Sequence, residues 1–191
     1  SAAIGKDSEQ DRLQASVDAI CGDARVVGMW GASTAAKFKA EWMASLNRQS
    51  VVVGYGNTLR RDDGLGPIVA ERVAAAAPGV RVHVLPALDI GLAAELAAAT
   101  LAVFVDARAD EDPEPLRVIA MRPASAGAHT AHDVGIPHLL ALARDLYGHA
   151  PTCYVVAPRG VDFEIGEGLT PEAEAAADLA VAATLKILAE G

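Results

Sequence analysis

The chain has 191 residues, 52% of them apolar but only 4% aromatic, and a formal charge of −9. That length supports one domain with a sizeable aliphatic core and is too short for two ordinary domains joined by a linker. The excess of carboxylates over Lys and Arg argues against a nucleic-acid binder, which needs clustered cations for phosphates, and no run approaches the roughly 20 apolar residues that span a bilayer.

The first 49 residues differ in character from the rest. They hold both tryptophans, Trp30 and Trp42, and two helix-like stretches near 11–20 and 34–46. Residues 1–49 are therefore expected to form an N-terminal helical extension of unknown role, ahead of an α/β domain at 50–191. The opening Ser-Ala-Ala-Ile-Gly-Lys lacks the charged-then-apolar order of an export signal. Cys21 and Cys153 lie far apart with no C-x-x-C pattern, which signals neither a disulfide framework nor a thiolate zinc site. A cytoplasmic protein is the expectation.

From Val51 onward, short apolar runs alternate with longer helical patterns. Strands are expected at 51–55, 80–85, 101–106, 116–121 and 152–157, three of them near-continuously apolar, as strands covered on both faces are. Helices are expected at 67–76, with Pro67 in the first turn and Pro78-Gly79 as the stop, then at 90–99 and at 134–146 ending before Gly148. A last helix runs from Pro171 to about residue 189, with Thr170 as N-cap. This rhythm is that of an α/β protein: a three-layer fold with about five strands in a mostly parallel twisted sheet, phosphorylase/hydrolase-like, flanked by helices.

The first strand leads into Gly54-Tyr55-Gly56-Asn57-Thr58-Leu59-Arg60-Arg61-Asp62-Asp63-Gly64-Leu65-Gly66. Such a turn lies at the carboxyl edge of the sheet, where α/β proteins place ligands. It is not a dinucleotide fingerprint, since Leu59 stands where the third glycine belongs, and no G-K-[ST] marks a P-loop. It does hold paired carboxylates, Asp62 and Asp63, between glycines that permit close backbone approach. Either acid could instead cap the following helix, and for Asp62 that reading weighs equally.

Asp106 closes the apolar run Leu101–Val105 and brings a second acid to the same edge, although a strand-end Asp is often only a turn former. In Ala128-His129-Thr130-Ala131-His132-Asp133, two histidines precede the third expected helix of the domain. Imidazole with two carboxylates suits a borderline divalent ion such as nickel or zinc, and three protein ligands would leave a position open. His83, His138 and His149 are read as having structural roles. No G-x-S-x-G elbow supports a serine nucleophile.

These residues together resemble the hydrogenase maturation endopeptidases, over roughly three quarters of the chain. Members of that family carry a G-x-G-N-x-L-x-x-D-[DE]-x-x-G loop after the first strand, an Asp ending the third, a His before a helix, and a late G-x-T-P. The counterparts here are Gly54 to Gly66, Asp106, His132 and Gly168-Leu169-Thr170-Pro171. The resemblance implies that Asp63, Asp106 and His132 are the metal ligands and catalytic residues, with His129 as the alternate. It implies further that 85–91 lies near the substrate groove. The activity implied is removal of a C-terminal peptide from the nickel-loaded large-subunit precursor of a nickel-iron hydrogenase, by a monomer without an organic cofactor that recognises substrate-borne nickel. A nickel-binding chaperone that docks the precursor without cutting it would need the same ligands. Another hydrolase on a related scaffold, an aminopeptidase or a nucleoside phosphorylase, is the second alternative.

Overall fold

The computed structural model describes residues 49–125 and 135–190. The expected N-terminal helices, His129 and His132 lie outside the described residues.

The apolar runs Ser50–Tyr55 and Leu101–Val105 become β1 and β3, the buried centre of a five-stranded sheet ordered β2-β1-β3-β5-β4. Both are covered on both faces, which is why neither shows alternation. The remaining strands are β2 (Arg81–Leu85), β4 (Leu116–Met121) and β5 (Thr152–Pro158). β2, β1, β3 and β5 run parallel, and β4 pairs antiparallel with β5. β2 and β4 form the edges and hold the polar Arg81, His83 and Arg117 that the central strands lack. The sheet is mostly parallel and five-stranded, as expected. The segment joining β3 to β4 is too short for a helical crossover, and β4 accordingly returns antiparallel.

Helices α1 (Leu65–Ala76) and α4 (Pro171–Glu190) cover one face, where Leu65, Val69, Val73, Ala173, Ala177 and Ala180 meet Val52, Val103 and Val156. α2 (Leu92–Ala97) and α3 (Ile136–Tyr147) cover the other, where Leu92, Leu96, Leu139 and Leu140 meet Val51, Val53, Phe104 and Val155. The result is the expected three-layer α/β architecture. Alanines on α4 let it lie close to the sheet, and Arg72 of α1 ties the two helices of that face together through Glu174 and Asp178.

Several boundaries differ from the sequence reading for local reasons. α1 begins at Leu65, so Pro67 sits within its first turn rather than opening it. α2 is shorter than 90–99 because Asp89 closes a turn, its Oδ1 accepting Gly91 N–H at 2.7 Å. α3 ends at Gly148, whose φ of 82° and N–H bond to Arg144 O form a left-handed cap. Thr170 caps α4 as expected, its Oγ1 accepting the Ala173 N–H at 3.2 Å. His149 has a structural role, with Nε2 3.0 Å from Ala99 O just past α2. Among the described residues, no helix is long and apolar enough to cross a membrane.

Candidate active site

The order β2-β1-β3 makes the connections of β1 and β3 depart toward opposite edges of the sheet, which opens a crevice at their carboxyl ends. The turn after β1 carries Asp62 and Asp63, and Asp106 follows β3 directly. Two glycines make the approach close. A Cβ on Gly66 would lie 2.2 Å from Tyr55 O and 2.6 Å from Val105 O, and one on Gly54 would lie 2.2 Å from Gly66 O. The first turn of α1 therefore rests directly on β1 and β3. Gly66→Ala should cost about 2 kcal/mol by overpacking, seen as a lower denaturation midpoint, and wild-type stability in that variant would contradict this packing.

The turn itself holds a short 3-10 segment, Arg61–Gly64, inside the glycine-rich loop. Gly56 has φ 143°, and a Cβ there would meet Asp63 O at 2.0 Å, so the position requires glycine. Gly56 N–H bonds Leu85 O at 3.1 Å, which puts the start of 85–91 beside the turn. Asn57 N–H donates to Asp63 Oδ2 at 3.0 Å, and Asn57 Oδ1 accepts Leu59 N–H at the same length. The first of these bonds holds Asp63 by one oxygen.

Asp63 and Asp106 come together, close enough that the Asp63 charge acts on Asp106. Burial, opposed by a hydrogen bond from Tyr55 and then reinforced by the Asp63 charge, moves the Asp106 carboxyl above the usual carboxylate range. Burial and the neighbouring Asp106 also push the Tyr55 phenol up, so it remains a donor. Sequence reading missed Tyr55. Its role depends on the register of β1 with β3, where Gly54 pairs with Val105 and the next positions are Tyr55 and Asp106.

Asp62 is a different kind of residue. It is fully buried and does not cap the helix, which corrects the capping alternative. Its Oδ2 accepts Val161 N–H at 2.8 Å, Asp162 N–H at 3.0 Å and the Thr170 hydroxyl at 2.9 Å, while Oδ1 accepts Thr170 N–H at 2.8 Å. Burial works against the charge, but these donors from Thr170, Val161 and Asp162 outweigh it and hold the carboxyl below its ordinary value. Asp62 is thus the clamp that fastens the loop 159–170 beneath the glycine-rich turn. Gly160 makes this possible, since a Cβ there would lie 3.0 Å from Asp62 Cβ.

Among the described residues, no group of three or more His, Cys, Asp or Glu is placed to hold a metal ion. His132, the third expected ligand, and its alternate His129 lie outside them. The donor chemistry of the described pair does suit a cation: the Asp63 charge acts on Asp106, no basic side chain among the described residues is paired to either of them, and a positive ion would relieve their repulsion.

No family model matches the chain, and no curated protein matches it. Solved structures do. The hydrogenase maturating endopeptidase HybD from E. coli is similar over 74% of this chain and 92% of its own, with 21% identity and a TM-score of 0.58. The [NiFe] hydrogenase maturation protease HybD from Thermococcus kodakarensis is similar over 73% of this chain and 98% of its own, at 20% identity and TM-score 0.55. HycI, a [NiFe] hydrogenase maturation protease from Thermococcus kodakarensis KOD1, gives 21% identity and 0.55 over 74% and 92%. At these identities the likeness establishes the fold: this chain has the architecture of those proteases along nearly their whole length.

Proposed function

We propose that this chain is an endopeptidase that removes a C-terminal peptide from the nickel-loaded large-subunit precursor of a nickel-iron hydrogenase. The observation that carries the reading is the pairing of Asp63 with Asp106 in the switch-point crevice of a fold shared with hydrogenase maturation proteases. In this reading Asp63, Asp106 and His132 complete the coordination of nickel carried by the substrate, so that only the loaded precursor is fixed in the crevice. Fixing the chain there turns hydrolysis of one peptide bond into a proximity-driven step. Asp106, whose carboxyl is made more basic by burial, is suited to accept a proton from the attacking water. Tyr55 orients it. The protein acts as a monomer in the cytoplasm and carries no organic cofactor of its own.

The ligand assignment is tested by Asp63→Asn and His132→Ala, each assayed for cleavage of nickel-loaded precursor and for binding to it. Each should lower the cleavage rate by at least about 100-fold and weaken binding of the loaded precursor only. Full activity in either variant would remove that residue from the site. Metal held tightly without precursor, together with turnover of small substrates, would favour an aminopeptidase or phosphorylase instead.

A further inference from the structure

Beside the acidic crevice lies a second feature that the reaction as described does not use. A cleft of about 500 Å³ opens between the glycine-rich turn and the loop 159–170, lined by Asn57, Leu59 and Arg60 on one side and Phe163, Glu164 and Ile165 on the other. Ile165 is 87% exposed and Leu59 59% exposed. Large aliphatic side chains shown to water singly are ordinary, but these two face one cleft from loops that are fastened together. Leu59 O accepts Gly166 N–H at 2.9 Å, Arg61 N–H donates to Gly166 O at 2.9 Å, Arg60 Nε donates to Phe163 O at 3.2 Å, and the Asp62 clamp closes the base. The apolar lining is therefore held in place before anything binds, which lowers the entropy cost of binding.

We propose that this cleft receives an aliphatic or aromatic side chain of the polypeptide substrate, in the stretch next to the bond that is cut. The proposal rests on the peptidase reading above and adds a substrate preference to it. Three observations select that occupant. The cleft adjoins the acidic pair at Asn57, which lines it while its N–H donates to Asp63 Oδ2. Its size is that of a site for a small ligand or side chain, whereas a stable dimer needs about 800 Å² from each partner, so a second copy is not the natural occupant. Its lining carries one cation, Arg60, and one anion, Glu164, beside the apolar Leu59, Phe163 and Ile165, so no net charge selects a charged occupant.

The test compares wild type with Ile165→Asp, Leu59→Asp and the conservative Ile165→Leu on the nickel-loaded precursor, with sedimentation of each protein alone. Both replaced side chains are exposed, so the fold is expected to survive. KM should rise about tenfold or more in the two Asp variants, as for loss of one apolar side-chain contact, with kcat within about twofold, and Ile165→Leu should retain the wild-type KM. Unchanged KM in both Asp variants, or a fall in kcat alone, would overturn the cleft assignment. So would a wild-type dimer that Ile165→Asp dissolves, since the cleft would then belong to a second copy. If wild type binds the precursor without cutting it, the peptidase reading fails separately. The cleft assignment is then read from Kd: tenfold weaker binding in the Asp variants keeps it, and equal binding, or no binding by wild type, overturns it.

Discussion

Asp106→Asn should abolish precursor cleavage, by at least about 100-fold, and at the same time make the protein more stable at neutral pH. The loss follows from removing the carboxylate that the proposed chemistry requires. The gain follows from the environment of Asp106: burial first, then the Asp63 charge, raise its folded-state pKa above the ordinary 3.8 despite the Tyr55 hydrogen bond. A raised carboxyl contributes stability that is fully present below the unfolded value and is lost as pH rises through the folded one. At neutral pH wild type therefore bears the cost of a half-buried charge beside another. Asn removes that charge and keeps an oxygen for Tyr55, and activity is exchanged for stability as at other strained sites. Thermal unfolding across pH checks the sign. The variant should gain on wild type as pH rises from below 3.8 through the raised value, and a variant less stable than wild type at pH 7 would contradict this account of the site.

The second large effect concerns Asp62→Ala, expected to cost about 4 kcal/mol. Four donors lose one buried charged acceptor, and such donors are costly to leave unpaired. Asp62→Asn should also be strongly destabilising, because an amide places N–H groups against donors. The pH signature is opposite to that of Asp106. A depressed carboxyl contributes stability above the unfolded value of 3.8 that is lost as pH falls through the lower folded value. Wild type should thus lose this contribution at acid pH, and the gap between it and Asp62→Ala should narrow there. Urea unfolding at pH 7 and at low pH measures both. A cost under about 1 kcal/mol at pH 7 would mean that the loop 159–170 is held by other contacts.

The layers and strands were legible because their signals are local. Val51 to Val53 and Leu101 to Val105 are uninterrupted apolar runs, and their shortness and β-branched content point to strands buried on both faces. Asp63 and Asp106 were legible for the same reason, as acids placed immediately after such strands. What could not be read was anything decided by a distant partner. Asp62 and Asp63 are adjacent and chemically identical in sequence, and what separates them is Val161, Asp162 and Thr170, about a hundred positions away. Tyr55 is the last residue of β1, and only the neighbouring strand brings Asp106 to its hydroxyl. The antiparallel return of β4 depends on how little chain follows β3, and the cleft depends on two loops whose pairing carries no pattern within either.

The most direct test of the central reading is intact-mass analysis of a hydrogenase large-subunit precursor from the same organism, incubated with this protein in nickel-loaded and nickel-free forms. The account predicts loss of a C-terminal peptide from the loaded precursor and no change in the other. Binding of the loaded precursor without any change in its mass would contradict the peptidase and leave a nickel-dependent chaperone in its place.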